Sequence, residues 1–256
     1  MSFHPDWLVP GWNAPAVGAV MTTRQGGVSA GPFDSLNLRD GLGDDPNAVA
    51  GNRASLARAL GVQAVYVNQV HGTRVVRLSL ADLRTDAPTH EADASITTEP
   101  GVACAVQVAD CLPVLFAAPQ GRAVGAAHAG WRGLAHGVLE ATVQALCNAA
   151  NCEPAQLQAW MGACIGPRHF EVGADVLEAF GAAETQADPA RFHAQQPGKW
   201  RANLPLLARD RLLAVGVSKV SGGAWCTVES PSRFFSYRRD RVTGRMAALV
   251  WIRRPG

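Results

Sequence analysis

Two imidazoles and a thiol are the side chains best placed to do chemistry together. His71 follows the apolar run AVYVNQV, Cys111 follows GVACAVQVAD, and His128 follows AVGAA. Each therefore lies at the end of an apolar strand or at an interruption in one. Strand ends let side chains converge on a pocket while the sheet holds the backbone rigid. Two imidazoles and one thiolate form a borderline-to-soft ligand set that favours zinc and admits copper. Three protein ligands leave a fourth tetrahedral position for water or substrate, the pattern of catalytic and not structural zinc. A divalent ion held by one thiolate keeps about one positive charge, which would attract an anion. The separations, 71 to 111 and 111 to 128, match no compact finger. The same residues would also serve a cysteine hydrolase, with Cys111 as nucleophile and a histidine as base. On residue chemistry alone both readings stand.

The elements that must position these groups alternate strand and helix. Residues 16–23 read as a buried strand, leading into the glycine-punctuated loop RQGGVSAGPFDSLNL. A helix is expected over 46–60, with Pro46 in its first turn. A strand over 64–70 would deliver His71. The stretch GVACAVQVADCLPVLFAAP reads as two buried strands interrupted at 109–113, because Pro113 cannot donate to a central ladder. A strand ending on His128 turns at Gly130 into a helix near 134–149, where Leu134, Val138, Leu139, Val143 and Leu146 keep helical spacing. A strand near 157–163, helices near 172–181 and 203–214, and a closing strand at 246–252 complete the pattern. This predicts an α/β or α+β fold, a mixed β-sheet core flanked by helices, in one domain spanning residues 1–256.

Composition sets the outer limits. Of 256 residues, 48% are hydrophobic and 17% charged, enough for a large core and too apolar for wholesale disorder. A net charge of +2 does not point to nucleic acid. Arg238, Arg239, Arg241 and Arg245 still cluster near the C-terminus, as a solvated edge or an anion site. No apolar run reaches the ~18 residues of a membrane span, and the N-terminus lacks a charged-then-apolar leader pattern. The expectation is a cytoplasmic protein with its six cysteines reduced and no disulfide.

The runs TTRQGGVSAGPFDSLNL, NQVHG, ADCLPV, AHAGWRG, GACIGPRHFEVG and FFSYRRDRVTGR occur in the order seen in the YfiH family. That family is also known as the laccase-domain or multicopper polyphenol oxidoreductase family, and more recently as purine nucleoside phosphorylases. The resemblance runs from about residue 16 to about 252. It implies a metal, usually zinc, held by His71, Cys111 and His128. It also implies phosphorolysis of adenosine, inosine and methylthioadenosine, and hydrolytic deamination of adenosine. Small-molecule partners follow, a purine nucleoside and phosphate, with no nucleic acid and no membrane. Arg24 and Arg132, the latter at a helix start, are candidates for anion binding; Phe170 and Glu171 for stacking on a base and hydrogen-bonding it. Asp93 and Asp110 are candidates to orient a ligand histidine. His136 reads as a partly exposed helix-face residue, and Cys104, Cys147, Cys152, Cys164 and Cys226 as packing residues. The older family name implies copper-dependent oxidation of phenols instead. Multicopper oxidases need many histidines in HxH pairs, whereas this chain has seven histidines and no HxH. A metal-free Cys–His hydrolase acting on a peptidoglycan precursor, or a metal-stabilised binding module, would use the same motifs.

Overall fold

The computed structural model describes residues 3–184 and 187–254. Along the chain run β1 (Val17–Met21), α1 (Pro46–Leu60), β2 (Gln63–Tyr66), β3 (Val75–Leu78), β4 (Ala94–Thr97), β5 (Val102–Val108), β6 (Leu112–Ala117), β7 (Val124–Ala129), α2 (Trp131–His136), α3 (Val138–Ala150), β8 (Gln158–Met161), β9 (Glu171–Val172), α4 (Ala174–Ala179), β10 (Phe192–Gln196), β11 (Lys199–Ala202), α5 (Leu204–Ala214), β12 (Lys219–Gly222), α6 (Tyr237–Asp240) and β13 (Met246–Ile252). They form three sheets: a four-stranded one ordered β1-β13-β5-β2, a six-stranded one ordered β12-β8-β6-β7-β4-β3, and a small one ordered β10-β11-β9. The pairs β2–β5, β3–β4 and β8–β12 are parallel, so both large sheets are mixed.

Period-two alternation decides the layering. On β13, Met246, Ala248 and Val250 face one apolar cluster while Ala247, Leu249 and Trp251 face another. The first cluster also takes Val102, Cys104, Val106 and Val108 from β5, together with Leu115 and Ala117 from β6 and Val124 and Ala126 from β7. The two large sheets therefore pack face to face. Helix α1 covers the outer face of the four-stranded sheet through Leu56 and Leu60. Helices α2, α3 and α5 and the small sheet cover the outer face of the six-stranded one, against Leu112, Val114 and Phe116. Each fully buried Leu or Phe contributes roughly 1.5–3 kcal/mol of transfer free energy. Among the described residues, no helix is long and apolar enough to cross a membrane.

The helices expected at 46–60 and 203–214 and the strand at 246–252 form close to the expected limits, the first capped by the Asp45 carboxylate on the Asn47 amide. Elsewhere the structure departs from the expectations. The strand toward His71 ends at Tyr66, and Val67–Val70 continue outside any strand, with one bridge from Asn68 to Glu91. The break between β5 and β6 falls at Ala109–Cys111, and Pro113 lies inside β6, where β8 begins its pairing one residue later, at Val114. The expected helix at 134–149 is two helices, divided by Gly137 at φ 99°. Near 172–181 a short strand, Glu171–Val172, precedes a helix of only six residues.

Candidate metal centre

Three short segments meet at one end of the interface between the large sheets. His128 is the next-to-last residue of β7, on the face shared by Val124 and Ala126. Cys111 closes the three-residue link that carries the chain from β5 to β6, from one large sheet to the other. His71 sits on the link from β2 to β3, which crosses likewise, and its φ of 62° is one that L-residues seldom adopt.

A single carboxylate holds that conformation. Asp93 Oδ1 accepts from the His71 amide at 2.9 Å, and Oδ2 accepts from the amides of Val70 at 3.1 Å and Gly72 at 2.7 Å. Oδ1 also lies 2.8 Å from His128 Nδ1. An ionised carboxylate only accepts, so Nδ1 carries the proton and Nε2 is left as the donor for a metal. These four bonds use the lone pairs of Asp93 fully. Burial would raise its pKa, but the bond from His128 and the amides of Gly72 and Val70 prevail and lower it.

Cys111 Sγ lies 3.8 Å from His71 Nε2, and the donor atoms of His71, Cys111 and His128 all fall within 4.8 Å of one another. A tetrahedral zinc with Zn–S of about 2.3 Å and Zn–N of about 2.0–2.1 Å separates sulfur and nitrogen by roughly 3.6 Å. The donor set and its spacing thus fit a divalent ion, zinc or copper by ligand chemistry. The backbone makes room for it at Gly130, where a Cβ would stand 2.8 Å from the His71 ring and 3.2 Å from Cys111 Sγ. Burial works to raise the Cys111 thiol, yet the His128 charge and bonds from both histidines draw it down to about 6. His128 is pushed the other way, up to about 9, because the Cys111 and Asp93 charges outweigh its own burial.

A cavity of about 310 Å³ opens on these three groups and is lined further by Arg39, Gln69, Gln107, Tyr237 and Arg245. Its size suits a small organic ligand. The Gln69 amide pairs with the backbone of Gln107 in both directions, at 2.9 and 2.8 Å.

Other expected site residues lie elsewhere. Arg24 donates to the carbonyls of Asp34 and Pro231 and packs over Phe235, and it does not line this cavity. The glycine-rich amides beside it are also engaged, Gly26 and Gly27 with Ser35 Oγ and Val28 with Asn52. Arg132 is exposed and stacked on Trp131. Phe170 is buried in the helix-side core, and Glu171 is an exposed strand residue whose carbonyl accepts from Arg238. Asp110 touches neither histidine; its carboxylate accepts from the Thr227 hydroxyl and the Arg238 amide, both at 2.6 Å. The arginine cluster divides: Arg239 binds three carbonyls and Asp240, whereas Arg245 faces the cavity. His136 is exposed, and all six cysteines are free thiols. Cys226 packs beside Gly166 and also lies near His169 and Glu229 in a second group of possible donors, in which Arg168 already holds Glu229 at 2.6 and 2.8 Å. Sequence reasoning missed Arg39, Gln69, Gln107 and Tyr237. The available signal was position, since Gln69 and Tyr237 lie inside the runs NQVHG and FFSYRRDRVTGR.

A family model described as multi-copper polyphenol oxidoreductase laccase matches residues 18–253. A purine nucleoside phosphorylase of Pseudomonas aeruginosa is 49% identical over 96% of this chain and 98% of its own length. The purine nucleoside phosphorylase YfiH of Escherichia coli is 48% identical over the same shares. Among solved structures, a Neisseria meningitidis protein superposes with a TM-score of 0.89 at 45% identity, covering 97% of this chain and 100% of that one. YlmD of Geobacillus stearothermophilus reaches 0.90 at 33% identity, covering 99% and 98%.

Proposed function

Given that the chain belongs to the multi-copper polyphenol oxidoreductase laccase family, we propose that it is a zinc-dependent purine nucleoside enzyme. Its reactions are phosphorolysis of adenosine, inosine and methylthioadenosine to free base and the sugar 1-phosphate, and hydrolytic deamination of adenosine to inosine and ammonia. His71, Cys111 and His128 are the metal ligands and the catalytic centre. The chain acts as one domain. The observation that carries this reading is the convergence of three donors, one histidine tautomer fixed by Asp93, on a cavity also lined by two arginines.

When bound, the ion supplies Lewis acidity at the open fourth position. The chain supplies the rest. Asp93 keeps a proton on His128 Nδ1 and locks the 70–72 backbone, so both imidazoles stay aimed at one point. Cys111 as thiolate tempers the charge of the centre. The walls of the cavity limit water around the nucleoside, which strengthens each electrostatic contact there. A phenol-oxidising copper cluster draws no support from the donors, since only two of the seven histidines reach this centre.

The test is to incubate zinc-loaded protein with adenosine, with and without phosphate, and to resolve inosine, adenine and hypoxanthine. Inosine is expected in both, the free bases only with phosphate, and Cys111→Ala should lose both zinc and turnover. A folded, zinc-loaded protein that turns over no nucleoside overturns the proposal. The thiolate–imidazolium character of Cys111 and His128 favours the cysteine hydrolase as second reading, and activity that survives chelation but not alkylation would select it.

A further inference from the structure

The two arginines of the cavity are held side by side by a single buried amide. Asn37 is fully buried, and its Oδ1 accepts from the backbone amides of Arg39 at 3.1 Å and Arg245 at 2.9 Å. Its Nδ2 donates back to the Arg39 carbonyl at 3.1 Å and to Asp44 at 2.9 Å. Both side chains are half-buried and line the cavity that holds His71, Cys111 and His128.

Among the described residues no carboxylate forms an ion pair with either guanidinium. Among the described residues the Arg39 guanidinium has no hydrogen-bonded or ion-paired partner. That of Arg245 donates only to the carbonyls of Thr243 and Gly244, through a single nitrogen. The neighbouring acids are committed elsewhere: Asp40 to Arg53, Asp44 to Ser29 and Asn37, and Asp110 to Thr227 and the Arg238 amide. Burial and then the Arg39 charge press the Arg245 pKa downward and prevail over the opposing Cys111 and Asp110 charges. Adjacent like charges in a partly desolvated cavity cost free energy, and an oxyanion between them would reverse that cost. Guanidinium groups present their donors in a fork that matches phosphate oxygens.

We infer that Arg39 and Arg245, bracketed by Asn37, form the orthophosphate subsite of this cavity, facing the nucleoside beside the metal centre. The inference deepens the phosphorylase reading and rests on it for the role of the anion, though the anion site itself can be tested without turnover. A phosphate ester shares the chemistry of free phosphate, so the two must be compared.

Inorganic phosphate and adenosine 5′-monophosphate are titrated calorimetrically into the zinc-loaded full chain, and the phosphate KM is measured in phosphorolysis. The variants are Arg39→Gln, Arg39→Lys and Arg245→Gln. Arg39→Gln should weaken phosphate binding and raise the phosphate KM by roughly ten- to a hundred-fold, one lost charge-assisted contact. It should raise the nucleoside KM far less, and Arg39→Lys should recover part of the loss. Arg39 makes no structural side-chain bond, so it stands as the test should Arg245→Gln fail to fold. Phosphate binding lost in Arg39→Gln, in a protein that turns over no nucleoside, keeps the anion site and removes the phosphorylase. Phosphorolysis with an unchanged phosphate KM in Arg39→Gln overturns the subsite and keeps the enzyme. Tighter binding of the monophosphate than of free phosphate, or no phosphate saturation in either assay, also overturns the assignment.

Discussion

In the metal-free protein the Cys111 thiol and the His128 imidazole behave as one ionic unit. The thiol, drawn down to about 6, holds its charge through neutral pH; the imidazole, pushed up to about 9, holds its proton there. The signs give a window. The depressed thiol contributes stability that is full above its unfolded value, near 8.5, and is lost as pH falls through about 6. The raised imidazole contributes stability that is full below its unfolded value, near 6.5, and is lost as pH rises through about 9. The ion pair is therefore present between those two limits. Alkylation of Cys111 in chelator-treated protein, followed by peptide mass, should show its midpoint near 6, and His128→Gln should move it upward. A midpoint at the ordinary thiol value in the wild type would contradict the pairing. That His71, Cys111 and His128 meet was legible in the sequence, from the apolar run each one ends and the family motif each one sits in. The work of Arg24 was not, since nothing in its neighbours shows that its guanidinium is taken up by the carbonyls of Asp34 and Pro231.

Between β7 and α2 the chain turns at Gly130 with the His71 ring and Cys111 Sγ packed against its α-carbon. A methyl group there would press on the His71 ring and on Cys111 Sγ. Gly130→Ala should lower zinc affinity by roughly ten- to a hundred-fold, the cost usual for disturbing ligand orientation, with a melting temperature close to wild type in the metal-free protein. Equal zinc affinity, measured by competition with a chelator, would show that the ligands can give way. The elements that sequence periodicity located best, α1, α5 and β13, have strong caps or unbroken apolar runs. Those it missed have physical reasons. The strand β10 exposes four of its five residues and β12 buries none of its four fully, so neither offers an apolar face to read. The run before His71 reads as strand through Val70, yet the Gln69 side chain takes over the ladder bonds of β5 and frees the backbone to leave. Helical spacing continues from Leu134 to Val138 across Gly137, which hid the break.

Across the whole molecule the two large sheets share one apolar layer, from Val250 on the last strand to Leu115 and Trp160 on the other sheet. Neither sheet can expose that face alone without a large loss of buried apolar area. A single cooperative unfolding transition is expected, with calorimetric and van't Hoff enthalpies equal. Two separable transitions would divide the chain into independently folding parts and refute the single domain. Strand order is the level at which the sequence was silent. The last strand lies between the first strand and β5, pairing Val17 with Ile252 and Met246 with Val108. Periodicity tells which face a residue takes; it carries no information on which neighbour sits beside it.

The carboxylate of Asp93 also engages three consecutive amides, those of Val70, His71 and Gly72. They lie on a surface link outside any ladder, with Val70 itself 47% exposed, where amides ordinarily exchange fast. In deuterium uptake this link should behave like an interior strand, its protons released only when the surrounding structure opens. Asp93→Asn should collapse that protection, because an amide side chain would turn donors toward donors. Rapid uptake at all three positions in the wild type would refute it. Slow exchange there would mean that the entropy of fixing the first histidine is spent during folding, leaving an arriving ion little conformational cost at that ligand.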